Sequence, residues 1–248
     1  MKKLVLLFLL IPAINFVSGQ RQNCDSLFEK AKQIETTEGY EKCEAQFLNL
    51  LKVCPEYYAV HTELIKHYEI LGTAVPIMAL MWQNLLDYKS SNAKKNIKKI
   101  DYISHRYLVK TRKGTEIHVP PAYVRDWDED YENNMSPLDA GFIAMGALDY
   151  SDEFKNLNSA DRMLQKFDKL FLHIDTIRAK HHGVCWDLYV DFFSSLYKTE
   201  NFKTAMFLIM YRDEEMEIKT WVDNNSESVD KFYNWRQNYI TKYIDSQL

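Results

Sequence analysis

The residues whose types and spacing come closest to chemistry are His181, His182, Cys185 and Asp187, in the segment HHGVCWD. A Cys beside a His is the minimal nucleophile–base pair, and His with Asp is a common metal-ligating combination. An enzyme built on these four residues would need their side chains to converge in a pocket with the acidic loop upstream. The same segment also reads as a helix-capping loop: two polar His after a last turn, Gly183 as the stop, then a new helix that sends Cys185 and Trp186 into the core. Nothing in the spacing fixes a Cys–His geometry, so the capping loop is preferred and no catalytic residue is assigned. His173 lies beside an apolar stripe and reads as an edge residue. Glu214-Glu215 and the pair Asp128 and Asp130 are not distinctively placed, and the Glu pair reads as helix surface. The loop 126–134, DWDEDYENN, offers oxygen ligands for a hard cation but lacks the spacing and internal Gly of an EF-hand loop, and reads as a solvated linker. G-x-S-x-G, H-E-x-x-H, a phosphate-cradling Gly loop, a dinucleotide fingerprint and C-x-x-C are all absent from the sequence. No metal and no cofactor is expected.

Elements to position such residues come next, and the chain begins with a segment outside the fold. Lys2 and Lys3 precede an apolar run from Leu4 to Val17, and Val17-Ser18-Gly19 supplies the small residues of a cleavage site. Residues 1–19 are expected to be a signal peptide, with Gln20 the mature N-terminus; the rival is an uncleaved anchor. The run is shorter than the roughly 20 residues that span a bilayer. The mature chain is therefore expected in the periplasm or secreted, with no integral span. Taking Lys2 and Lys3 from the 31 basic residues leaves 29 against 35 acidic ones, a formal charge of −6. That balance, without a large basic patch, argues against nucleic acid. Few Gly and Pro and many aromatics disfavour an all-β chain and suit a helical core.

Residues 25–55 read as two antiparallel helices with a turn at Gly39. The second half carries Gly39-Tyr40, Cys43 as the small residue of the next turn, Phe47 four residues on, and Pro55 at the close. In this it resembles a tetratricopeptide repeat. Residues 56–89 resemble a second, degenerate repeat, because Trp82-Gln83-Asn84-Leu85-Leu86 echoes Phe47-Leu48-Asn49-Leu50-Leu51, although Pro76 and Ser90 depart from the pattern. The resemblance implies antiparallel helix pairs stacked as an α-solenoid, since one such unit cannot bury both faces alone. It also implies a bacterial-type scaffold or adaptor that lays a peptide or partner protein on its surface, with Tyr57, Tyr58, Tyr68 and Trp82 as candidate anchors.

The helical hairpin brings Cys24, at the start of its first helix, to Cys54 at the end of its second, so a disulfide between them is the preferred pairing. Cys43 reads as a buried thiol, which Cys185 reaches only if the C-terminal helices fold back. Further along, Ser91-Asn92 caps a helix from Ala93 to Ser104 with lysines at 94, 95, 98 and 99, read as a solvated face. Arg106–Lys110 and Thr115–Val119 flank a turn signal and predict a small hairpin. Ser136-Pro137 with Asp139 starts a helix whose Ala140-Gly141, Ala144 and Gly146-Ala147 allow another helix close approach. Helices are predicted at Ser159–Ala179 and Cys185–Tyr197, as a broken pair at Phe202–Tyr211 and Glu214–Val222, and after Ser226. The expected organisation is thus TPR-like repeats at 20–104, a hairpin and acidic linker at 105–135, and a C-terminal α-helical module at 136–248. The reading is a non-enzymatic interaction protein; the alternatives are a secreted enzyme using His181, His182, Cys185 and Asp187, or an immunity-type protein whose acidic surface blocks an exported effector.

Overall fold

A computed structural model describes residues 23–112, 114–121, 129–172, 174–213 and 215–247. The signal segment expected at 1–19, His173, Glu214 and residues 122–128, which include the first three of the acidic loop, lie outside the described residues. The chain is mainly α-helical with one small antiparallel hairpin. Helix α1 (23–38) turns at Gly39, whose φ of 87° suits a residue without a Cβ, into α2 (Tyr40–Val53). Cys43, Phe47, Leu50 and Leu51 recur at i, i+4, i+7 and i+8, and all four are buried. A disulfide joins Cys24 to Cys54 across the open end of this hairpin.

Helices α3 (Tyr58–Leu71), α4 (Ala74–Leu86) and α5 (Ser91–His105) follow, each packed on the next. The cap of α5 is Ser90, one residue earlier than expected, whose Oγ accepts from the Ala93 amide at 3.2 Å. Helix α4 is buried from Ala74 through Leu85 on every face, as its nearly unbroken apolar sequence requires. Strands β1 (Leu108–Thr111) and β2 (Gly114–Ile117) pair Leu108 with Ile117 and Thr111 with Gly114.

Helix α6 (Ser136–Leu148) carries Pro137 in its first turn and meets α5 through Gly146. A Cβ there would lie 2.1 Å from the Ser104 carbonyl oxygen, so the small residue sets the spacing between the two helices. The run expected to be one helix from Ser159 to Ala179 is instead α7 (Ser159–Phe171) and a short α8 (Ile174–Arg178). A π-helical turn, Trp186–Val190, feeds α9 (Asp191–Tyr197), followed by α10 (Asn201–Ile209), α11 (Met216–Asn224) and α12 (Ser226–Gln247).

The C-terminal helices close on the N-terminal ones, and a single apolar cluster runs through both halves. Asn84 donates to the Ile209 carbonyl at 2.9 Å. Tyr233 and Arg236 of α12 donate to the Leu85 carbonyl at the end of α4, and Arg236 also reaches Glu56. The other end of α4 is capped from α6: an Asp139 carboxylate oxygen accepts from the Thr73 and Ala74 amides at 2.6 and 2.7 Å. A Cβ on Gly72 would lie 2.8 Å from that carboxylate, so glycine is what lets Asp139 in. These bonds give the last carbonyls and first amides of α4 partners from segments more than 60 residues away in sequence.

Candidate functional site

The four residues of the HHGVCWD segment do not form one constellation. His181 is buried and stacks on Trp186 with ring centroids 5.1 Å apart, whereas His182 is exposed and faces Asp130 at 3.3 Å. Cys185 is fully buried, and burial raises its pKa far above the ordinary thiol value, which removes its nucleophilic form. Asp187 pairs with Arg178 at 2.6 Å, and Arg178 also binds Asp191 at 2.7 Å. The segment makes a turn on Gly183, at φ +110°, held from the acidic loop. Asn133 Oδ1 accepts from the Cys185 amide at 2.8 Å, and Trp186 donates to the Asn134 carbonyl at 2.9 Å. The end of that loop is therefore packed structure rather than the solvated linker expected, and Asn134 is fully buried.

The aromatic anchors divide. Trp82 is 1 % exposed, stacked near His61 and edge-on to Phe192, so the expectation that it meets a partner is corrected. It lies on α4, the helix enclosed on all sides. Tyr68 donates to Glu44 and borders a 270 Å³ recess with Leu71, Tyr131 and Glu132. Tyr57 and Tyr58 do border an open groove of 530 Å³, with Pro55, Ile240 and Ile244 beside the Cys24–Cys54 disulfide. Cys43 and Cys185 are buried free thiols, and burial pushes Cys43 up to about 11.

A cavity more enclosed than that groove lies where α5, α6 and α7 meet over α4. It has a volume of about 330 Å³, at the small end of the roughly 300–1,000 Å³ usual for ligand pockets. Ile77, Ile97, Phe142, Met145, Met163 and Phe167 line its apolar part. Its charged edge comes from two i, i+4 pairs on facing helices, Asp101 with His105 on α5 and Arg162 with Lys166 on α7. Asp149, the C-cap of α6, sits between them.

Local geometry fixes the protonation of this edge. His105 Nε2 lies 2.9 Å from Asp149, while Nδ1 lies 2.7 Å from the Asp101 carbonyl and 3.2 Å from its carboxylate. Both ring nitrogens face acceptors, so the ring must carry both protons. Asp101 first, then Asp149, push its pKa up to about 10. The same hydrogen bond to His105 holds Asp101 below the usual carboxylate range. Burial would raise Asp149, but His105 and Lys166 outweigh it and hold it low. Burial lowers Lys166, opposed by its bond to Asp149. Arg162 Nε and Asp149 Oδ1 stand 3.7 Å apart, and neither has a hydrogen-bond partner. Glu215, also on the cleft, accepts from the Ser159 amide at 2.9 and 3.1 Å and so closes the start of α7.

Sequence reasoning missed this site. The lysines of α5 drew attention as a basic face, but the informative signal was the charged i, i+4 spacing on two helices, 101/105 and 162/166. Among the described residues no group of three or more His, Cys, Asp or Glu is arranged to hold a metal ion, and no helix is long and apolar enough to cross a membrane. Compared with protein families, curated proteins and solved structures, the chain matches none.

Proposed function

We propose that this chain is an exported binding protein that takes an apolar ligand into the cleft between α5, α6 and α7 and performs no chemistry on it. The observation that carries the reading is an apolar cavity bordered by charged groups already bonded to one another. His105 has no basic nitrogen left for proton abstraction, and its conjugate pKa of about 10 makes it a poor acid near neutral pH. The Cys24–Cys54 disulfide supports the exported setting, because such bonds persist in oxidising compartments. The test is titration of the mature chain from Gln20 with the neutral fluorescent probe N-phenyl-1-naphthylamine. Saturable one-to-one binding is expected, lost when Met163→Trp fills the cleft; no saturable binding, or binding indifferent to Met163→Trp, overturns the reading.

The interaction-scaffold reading keeps support from one observation, the groove bordered by Tyr57, Tyr58 and Ile244. Stacked TPR-like pairs would extend no further than α1 to α5, since α10, α12 and the π-helical turn cover the faces an open stack would offer. A stoichiometric protein partner released by Ile244→Arg, with the probe still bound in the cleft, would put this reading first.

A further inference from the structure

Resting on the cleft being a binding site, the geometry points to a single-chain alkyl carboxylate as its ligand, with the chain on the apolar side and the carboxylate at Arg162 and Lys166. Two features of the cavity choose the tail. A volume near 330 Å³ is too small for a packed secondary-structure element, and three of the lining side chains are Met145, Met163 and Met210. Unbranched thioethers adapt to a flexible chain better than to a rigid ring.

The head is chosen by counting hydrogen-bond valences instead of formal charges, which cancel around the rim. On the acceptor side Asp101 is committed to His105, Asp149 Oδ2 to His105 and Lys166, and Glu215 to the Ser159 amide. Asp213 stands on the same rim. On the donor side the Lys166 ammonium makes one bond to Asp149 and has two more N–H groups, with its side chain only 14 % exposed. Arg162 spends one terminal nitrogen on the Leu157 carbonyl at 2.9 Å, and its Nε has no hydrogen-bond partner. Lys98 is exposed at the mouth. Asp149 Oδ1 is an unfilled acceptor too, but it faces Arg162 Nε at 3.7 Å and the two offset each other, so the spare valence beside them is the two further N–H groups of Lys166, which a ligand that supplies acceptors satisfies. A planar carboxylate suits the guanidinium fork of Arg162 and places its charge beside Lys166. A ligand ending in an ammonium would meet donors and be rejected.

The experiment compares dodecanoate, dodecanol and dodecyltrimethylammonium, each below its micelle concentration, by displacement of N-phenyl-1-naphthylamine from the mature chain at pH 7.5. Dodecanoate is expected to compete at least tenfold more tightly than dodecanol, and the cation more weakly than either. Arg162→Gln, checked for native circular dichroism, is expected to erase the dodecanoate advantage while leaving dodecanol unchanged. Equal competition by dodecanoate and dodecanol overturns the carboxylate assignment and leaves the binding site standing. A tighter cation overturns it too, as does a dodecanoate advantage that survives Arg162→Gln. Failure of the neutral probe itself to bind overturns the site and the ligand together. Should Arg162→Gln misfold, the three-ligand comparison on the native chain still decides.

Discussion

His61 and His105 lie two helices apart and are driven in opposite directions. His61, on α3, is fully buried between Trp82 and Tyr189, accepts at Nδ1 from the Tyr189 hydroxyl at 2.7 Å, and donates from Nε2 to the Pro55 carbonyl at 2.8 Å. One nitrogen donates and the other accepts, which only the neutral ring can do. Burial lowers its pKa to about 4, against the bond to Pro55. His105, at the rim of the cleft, faces acceptors on both nitrogens and is held charged, with a pKa near 10. The same side chain is a neutral joint in the core and a fixed cation at the cleft. What distinguishes them is the company each keeps, a hydroxyl and one carbonyl against two carboxylates.

The largest expected effect breaks the neutral half of this comparison. Because the folded pKa of His61 is about 4 and the unfolded value about 6.5, the unfolded chain binds more protons between those values. The stability that the neutral ring contributes is fully present above pH 6.5 and is lost as the pH falls toward 4. A difference of that size corresponds to on the order of 3 kcal/mol. Asp139 acts against this slope. Burial raises its carboxyl to about 6, although the Ala74 and Thr73 amides pull it down, so the folded chain binds more protons between roughly 4 and 6 and gains stability as the pH falls there. Urea denaturation at pH 7.5 and at pH 4.5 should therefore show a partly masked acid loss in the native chain. Asp139→Asn should steepen it and His61→Gln should abolish or invert it; an unchanged slope in His61→Gln would show that His61 is not the group responsible.

Two smaller substitutions sharpen the contrast by acting on the struts between the regions. Asp139→Ala leaves the Thr73 and Ala74 amides buried without an acceptor, an expected loss of about 2 kcal/mol in urea denaturation at pH 7. Gly146→Ala pushes a methyl against the Ser104 carbonyl, next to His105, and should cost about 1–3 kcal/mol. Because it parts α5 from α6, it should also weaken probe binding in the cleft while leaving the acid slope from His61 in place. Loss of both together would mean that the two regions are not separable.

Much of the framework was legible because it depends on local pattern. Gly39 with Cys43 and Phe47 gave the α1–α2 turn, the facing Cys24 and Cys54 gave a possible bridge, Ser136-Pro137 gave the start of α6, and Gly146 signalled a close helix contact. The break after Phe171 was hidden by an apolar stripe that continues in phase through Ile174 and Ile177. Trp82 was misplaced because a repeat-like pattern does not reveal that α10, α12 and a π-helical turn from the far end of the chain enclose α4. The cleft was illegible for the same reason. The charged pairs 101/105 and 162/166 are visible one helix at a time, but the edge joins Asp101, Asp149 and Lys166 from three helices, and no spacing within one helix reports that the others meet it.

The smallest expected effect concerns the charged half. His105 is raised, so the stability it contributes is complete below its unfolded pKa near 6.5 and is lost only as the pH climbs toward 10. The Asp101 side chain is 75 % exposed, so water screens its contribution, and His105→Gln is expected to cost less than about 1 kcal/mol at pH 7. The telling readout is thus titration. In an NMR pH series the His105 ring resonances should stay at their protonated positions from pH 6 to pH 8, while His61 remains neutral throughout. Asp149→Asn removes one of the two carboxylates and should bring the His105 transition down into an accessible range, without moving His61. If His105 titrates near 6.5 in the native chain, the two carboxylates do not hold it, and the opposition between the two histidines collapses to a difference in burial alone.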